Sequence, residues 1–131
     1  MSTVPRRAAA LFLAAHGIAH VLGFAGLWRL GEFKDVPYTT QILNGALDVG
    51  DAGIRVVGLL WLVAAVGFLW VTVALWRGST RPVAFVTIYS LAVCVVGLPA
   101  AIIGIGIDVA ILVVIGVLPV VRPADLRPAL R

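Results

Sequence analysis

The chain has 131 residues, of which 62% are hydrophobic and 12% are charged, and its formal net charge is +4. Its mean hydropathy is +1.11. A soluble globular domain has about 45–50% apolar and about 25% charged residues, and one domain of this length could not bury so many apolar side chains. The composition therefore excludes a soluble enzyme, a disordered tail and a nucleic-acid-binding module. It predicts a single transmembrane domain over residues 1–131.

Long apolar runs predict four membrane-spanning helices. The run from residue 83 to 121 has no basic residue and is too long for one helix, because about 20 residues cross a bilayer core of about 30 Å. We place its turn at Gly97-Leu98-Pro99, with Gly104-Ile105-Gly106 as the alternative. The fold class is therefore an all-α integral membrane four-helix bundle. The predicted helices are 8–28, 54–76, 82–98 and 101–121, with a loop over 29–53.

Basic residues are distributed unevenly between the two ends of the predicted helices. The first loop has three of them, Arg29, Lys34 and Arg55, whereas the termini and the connection between helices 2 and 3 have the rest. Cytoplasmic loops carry an excess of Lys and Arg, so we expect both termini in the cytoplasm and the first loop outside. The basic residues on the cytoplasmic side are Arg6, Arg7, Arg77, Arg81, Arg122, Arg127 and Arg131.

The first apolar run could also be a signal sequence, because Arg6 and Arg7 precede it as in a twin-arginine leader. The run over 8–28 is longer than the apolar region of a signal peptide, which has about 7–15 residues. We therefore expect helix 1 to be retained as a transmembrane helix.

Ionisable residues inside the predicted helices mark a candidate site, because each one is costly in hydrocarbon. His16 and His20 share one face of helix 1, and Asp108 lies in helix 4. At about 1.5 Å per residue, His20, Asp108 and Tyr89 all lie about 10–14 Å below the outer boundary, and His16 lies about 18 Å below it. Ser90 lies at the level of Tyr89. The sequence therefore predicts one polar layer in the outer half of the bilayer.

The residue types in this layer leave several functions open. A structural network is the simplest, because buried His–Asp pairs hold membrane bundles together. Two histidines and a carboxylate, His16, His20 and Asp108, are also ligands that iron or zinc accepts. A haem would need either a single axial histidine or a ligand from a partner subunit, because both histidines lie on one helix and cannot bind one iron from opposite sides. Histidine titrates near neutral pH, so the layer could also relay a proton or hydrogen-bond a quinone.

The first loop carries charges at the predicted outer mouth of the bundle, Asp48, Asp51 and Arg55. The segment 48–53 lacks the ligand spacing and the distal Glu of an EF-hand, so we do not expect calcium there. We expect Asp51 to cap helix 2, with Arg55 four residues further on the same face. Apolar residues in the loop suggest that it covers the polar layer as a lid.

The stretch His16-Gly17-Ile18-Ala19-His20-Val21-Leu22-Gly23-Phe24 resembles the first helix of small four-helix bacterial membrane proteins of the DoxX-like kind. Those proteins have an apolar run, then His-Gly, then a basic residue and Gly-Phe, with lysine where this chain has His20. The resemblance implies association with membrane redox complexes and a role in oxidative stress.

The expected function is therefore that of a small accessory or binding subunit in a bacterial inner membrane. Its expected partners are membrane lipid and other membrane-protein subunits or further copies of itself, with no nucleic acid. The alternatives are a membrane oxidoreductase or metal-dependent enzyme on a lipid-soluble substrate, and a small oligomeric transporter. In an enzyme, the polar layer would carry a metal, a haem or a quinone. Whether the protein is an enzyme is left open.

Overall fold

The computed structural model describes residues 3–117. In this part of the chain, four α-helices account for most residues, as the sequence predicts. The last residues of predicted helix 4, 118–121, lie outside the described residues, as do the three basic residues that follow them. The helices are α1 Thr3–Leu27, α2 Gly50–Trp76, α3 Arg81–Val96 and α4 Ile102–Val117, and two short strands, β1 Gln41–Ile42 and β2 Leu47–Asp48, lie between α1 and α2.

The helices pack in chain order, α1 on α2, α2 on α3 and α3 on α4, whereas α1 and α4 make few direct contacts. Short connections over 77–80 and 97–101 make consecutive helices antiparallel. The chain thus turns at 97–101, and residues 104–106 lie inside α4. We call the end of the bundle with the long loop the loop end, and the end where α1 and α3 begin the arginine end.

Two of the helices are long and apolar enough to cross a membrane, by length and composition: Pro5–Leu27 and Gly50–Trp76. The other two, Arg81–Val96 and Ile102–Gly116, are shorter apolar helices. Large apolar side chains are exposed on every helix, among them Leu69, which is 62% exposed, and Phe85, which is 72% exposed. An exposed apolar surface of this kind is typical of a helix in contact with lipid or with another protein.

Glycines allow α1 to approach α2 closely. A Cβ atom on Gly17 would lie 2.9 Å from Cβ of Phe68, and a Cβ atom on Gly23 would lie inside the contact distance of the Trp61 ring. Trp61 and Phe68 are both buried. Because these two positions of α1 carry no side chain, the two aromatic rings of α2 occupy the space beside them. Small residues mediate helix packing in membranes in the same way.

The loop between α1 and α2 folds over the loop end as a short antiparallel hairpin, in which Ile42 pairs with Leu47. The Leu43 amide donates to the Val96 carbonyl, and the Asn44 amide donates to the Leu98 carbonyl, both at 3.0 Å. Ile42 is buried among the side chains of the bundle. The hairpin is thus tied to the turn between α3 and α4 and covers this end of the bundle.

The close approach of α1 and α2 leads to a first prediction. We expect Gly23→Ala to lower the free energy of unfolding by about 1–3 kcal/mol, because the new methyl group overpacks the contact with Trp61. The matched control is Gly116→Ala, since a Cβ atom there meets nothing within 4 Å. Thermal unfolding in mild detergent, followed by circular dichroism, measures both. Equal unfolding midpoints for the two variants would contradict this packing.

Candidate functional site

Four polar side chains form a cluster in the middle of the bundle, between two apolar groups of residues. The cluster consists of His16 and His20 from α1, Ser90 from α3 and Asp108 from α4, and we call it the polar cluster. His16 is 5% exposed, His20 is 1% exposed, and Ser90 and Asp108 are fully buried.

The polar cluster lies between two groups of buried apolar side chains. On the loop-end side it adjoins a group that includes Leu27, Trp61 and Val93. On the other side it adjoins a group that includes Ala10, Leu13, Phe68 and Val86.

Asp108 accepts hydrogen bonds at both carboxyl oxygens. Nε2 of His16 lies 3.0 Å from Oδ1, and the Ser90 hydroxyl lies 2.7 Å from Oδ2. The Ser90 hydroxyl also lies 2.9 Å from Nε2 of His20. Nδ1 of His20 lies 3.0 Å from the His16 carbonyl one turn earlier. The cluster therefore joins α1, α3 and α4 through side chains alone.

The hydrogen-bond donors and acceptors of the polar cluster restrict where its protons lie. The His16 carbonyl can only accept, so Nδ1 of His20 carries a proton and donates to it. The Ser90 hydroxyl has one proton but faces two acceptors, Asp108 Oδ2 and His20 Nε2. The Cys94 thiol, whose Sγ lies 3.8 Å from Nε2 of His20, is a further donor to that nitrogen. With one additional proton, held either by Asp108 or by His20, the Ser90 hydroxyl would complete both of its own hydrogen bonds. A shift of that proton through the Ser90 hydroxyl exchanges the two arrangements without changing the total.

Aromatic rings of α2 enclose the two histidines. The Phe68 ring lies 4.8 Å from the His16 ring and 5.5 Å from the His20 ring, and the Trp61 ring lies 5.3 Å from the His20 ring. These contacts hold both imidazoles in place and exclude water from them. Nε1 of Trp61 is buried and donates to no described residue.

Tyr89 lies outside the polar cluster, although we placed it in the predicted layer. Its hydroxyl donates to the Leu60 carbonyl at 3.1 Å, so it contacts α2. Its neighbour Ser90 occupies the position between Asp108 and His20 instead. A signal for Ser90 is visible in the sequence, because Thr87, Ser90 and Cys94 are spaced as one face of a helix.

The predicted metal ligands His16, His20 and Asp108 do not form a group that could hold a metal ion, and no other three His, Cys, Asp or Glu side chains do so within residues 3–117. Nε2 of His16 faces Asp108, and Nδ1 of His20 faces a carbonyl, so the ring nitrogens do not converge on one point. A haem or a quinone fits no better. Two cavities of the described chain, at the loop end and between α1 and α4, are lined by other residues, and all four members of the cluster are buried.

One of the three outer-mouth charges, Asp51, differs from the sequence expectation, whereas Arg55 lies four residues further along α2, as expected. Asp51 does not cap α2, because the helix already begins at Gly50 and its N-cap residue is Val49, without a side-chain bond. Asp48 binds the first helical residue instead, as its carboxylate accepts from the Gly50 amide at 2.9 Å. This bond, together with one from Thr40, lowers the pKa of Asp48. Arg55 contributes its carbonyl, which accepts from Nε1 of Trp28.

Asp51 takes part in a separate exposed group at the loop end. It accepts hydrogen bonds from the Tyr38 hydroxyl and from Arg29, whose Nη2 lies 3.4 Å away. The Arg29 guanidinium lies over the Tyr38 ring, 3.8 Å from its centre. The bond to Asp51 requires a protonated phenol, so it raises the pKa of Tyr38, and the positive charge of Arg29 opposes this effect.

Comparison with known proteins adds no relative. No protein-family model matches the chain. No curated protein and no solved structure matches it either. The resemblance of helix 1 to DoxX-like proteins therefore stays a prediction, and the argument for function depends on the geometry of the chain.

The bridging role of Ser90 leads to a second prediction. We expect Ser90→Ala to lower the free energy of unfolding by about 1–3 kcal/mol, because Oδ2 of Asp108 loses its buried partner and Nε2 of His20 keeps only the Cys94 thiol, 3.8 Å away. The matched control is Thr87→Val, since the Thr87 hydroxyl donates only within α3, to the Val83 carbonyl. Unfolding in mild detergent measures both. A Thr87→Val loss as large as the Ser90→Ala loss would show that Ser90 has no special role.

The phenol–carboxylate bond in the loop leads to a third prediction. The folded pKa of Tyr38 lies above its usual 10.0, so the bond stabilises the fold below that pH and is lost as pH rises through the folded pKa. In Tyr89→Phe, Tyr38 is the one remaining tyrosine. The midpoint of its ultraviolet phenolate absorbance should lie above pH 10.0, and adding Asp51→Ala should move that midpoint down. A midpoint that Asp51→Ala leaves unchanged would exclude the bond.

Proposed function

We propose that the protein is a bacterial inner-membrane protein whose four helices span the bilayer, with both termini in the cytoplasm. The apolar lengths of α1 and α2 support this placement, as do the exposed apolar side chains. The distribution of arginines supports the orientation. Arg6, Arg7, Arg77 and Arg81 all lie at the arginine end, and cytoplasmic segments are enriched in such residues.

Within that membrane, the protein acts as an accessory or binding subunit of a larger assembly. That assembly is either a membrane redox complex or an oligomer of this chain. The observation that carries this proposal is the closed polar cluster. No member of it is more than 5% exposed, and its polar atoms bind one another. A substrate would need an opening beside reactive groups, so the site favours a structural role over catalysis.

The structural role follows from where α1 and α4 meet. These helices make few direct contacts, but His16 on α1 binds Asp108 on α4 at 3.0 Å. Hydrogen bonds between helices in membrane bundles contribute about 0.6–2 kcal/mol each. The polar cluster therefore sets the spacing of the two helices that the chain order leaves apart, and it keeps the outer faces of the bundle in a fixed relation for a partner.

Proton transfer is a second candidate function, and the Ser90 bridge favours it. Asp108 and His20 can exchange one proton through the Ser90 hydroxyl, with every hydrogen bond complete before and after the transfer. A subunit of a redox complex or an oligomeric transporter could use such a pair as one step of a longer path. Within this chain alone, Asp108, Ser90 and His20 span only a small part of the bilayer.

The fourth prediction tests the subunit proposal on protein purified from its own membrane in mild detergent. We expect a colourless protein without stoichiometric metal, whose native mass exceeds one 13.8 kDa chain. Asp108→Ala should reduce that mass, because it removes the bond that spaces α1 from α4. Arg55→Gln is the control, since it removes a charge far from the cluster. A bound metal or a Soret band that vanishes in His16→Ala would overturn the subunit proposal and favour an enzyme that carries this cofactor.

Liposomes that contain the purified assembly distinguish the second candidate. If proton transfer is the function, a pH-sensitive dye inside the vesicles reports proton flux, and both Asp108→Asn and Ser90→Ala abolish it. Thr87→Val, one turn away on the same face of α3, keeps the flux. Absence of flux in the unmodified assembly would overturn the proton-transfer role and leave the structural one.

A further inference from the structure

An apolar groove runs along the bundle between α1 and α4, which do not pack closely against each other. Its volume is about 910 Å³, within the range of ligand sites in proteins. It is lined by residues from all four helices, without a charged side chain, and its hydroxyl-bearing residue, Thr80, lies at the arginine end. The lining residues include Phe12 and Leu13 of α1 and Ile107, Ile111 and Val114 of α4.

Four arginines lie at the same end as Thr80. Arg7 approaches the end of α2, with its guanidinium carbon 5.8 Å from the centre of the Trp76 ring. Arg6 reaches the connection between α2 and α3, where Nη1 lies 3.4 Å from the position of a Cβ atom on Gly78. That connection is flanked by the other two, Arg77 and Arg81.

The charges of this arginine group have no partner within the described part of the chain. The ion pairs described for residues 3–117 are His16–Asp108 and Arg29–Asp51, so none involves these arginines. The Nε atom of Arg6 is buried and also has no hydrogen-bond partner among the described residues. The arginine end therefore offers several donors and a concentrated positive charge to an acceptor from outside the described chain.

We propose that the groove between α1 and α4 binds an anionic phospholipid, with an acyl chain along the groove and the phosphate at the arginines. The match is one of charge and apolarity together: an uncharged groove accepts the chain, and the arginines pair with the headgroup. Basic pockets between transmembrane helices on the cytoplasmic side bind anionic lipids in this way. The inference depends on the proposed membrane location, because the lipid would come from the cytoplasmic leaflet.

The fifth prediction tests this site by native mass spectrometry of the delipidated full chain in detergent. The probes are phosphatidylglycerol and phosphatidylcholine with identical acyl chains. We expect phosphatidylglycerol to be retained preferentially. Arg6→Gln and Arg81→Gln should each lower its affinity about fivefold, since one arginine near a membrane surface contributes about that factor. Arg55→Gln, at the loop end, should leave the affinity unchanged.

A second pair of variants tests the groove itself. A Cβ atom on Gly106 or on Gly116 meets nothing within 4 Å, so both positions have open space beside the backbone. Gly106 lines the groove and Gly116 is not among its lining residues. Gly106→Leu should therefore reduce retention of phosphatidylglycerol, whereas Gly116→Leu should not.

Three outcomes would overturn the lipid site, and they separate it from the membrane proposal. Equal retention of the two lipids by a protein that needs detergent overturns the site alone. A dimer that Gly106→Leu converts to a single chain assigns the groove to a second copy and overturns the site. A chain that stays in solution without detergent overturns both proposals.

Discussion

The hydrogen bond between His16 and Asp108 is the interaction on which the architecture depends. Helices that follow one another in the chain are brought together by short connections, but nothing in the chain order brings the first helix to the last. A polar contact joins them, in which His16 lies 3.0 Å from one carboxyl oxygen of Asp108 and the Ser90 hydroxyl binds the other. In hydrocarbon an unpaired carboxyl group is costly, so Asp108 favours the one arrangement in which both of its oxygens have partners.

The same constraint explains why the cluster lies among rings and glycines. Gly17 and Gly23 remove the side chains that would keep α1 away from α2, and the rings of Phe68 and Trp61 fill the space beside the histidines. A site that must exclude water needs such dense packing on every side. That packing leaves each member of the polar cluster at most 5% exposed.

The sequence predicts the position of the site along the helix axes better than it predicts which residues form it. Helical rise alone brings His20, Asp108 and residues 89–90 to one depth, and the cluster forms there. Rise does not say which side of α3 faces inward, because neighbouring residues point about 100° apart. The sequence therefore places both Tyr89 and Ser90 in the layer, and only the structure shows that Ser90 contacts the cluster. The cap on α2 was misplaced for a similar reason. Asp51 and Asp48 both precede an apolar run, and only the hairpin, which aligns Asp48 with Gln41, decides between them.

The open groove and the closed cluster are two consequences of one spacing. Asp108 is flanked in α4 by Ile107 and Ile111, and His16 is flanked in α1 by Phe12 and Leu13, all of which line the groove. The bond between the two polar side chains therefore fixes how far apart the groove walls stand. The proposed lipid would contact the same two helices, so a change in the spacing of α1 and α4 would alter both the groove and the polar cluster.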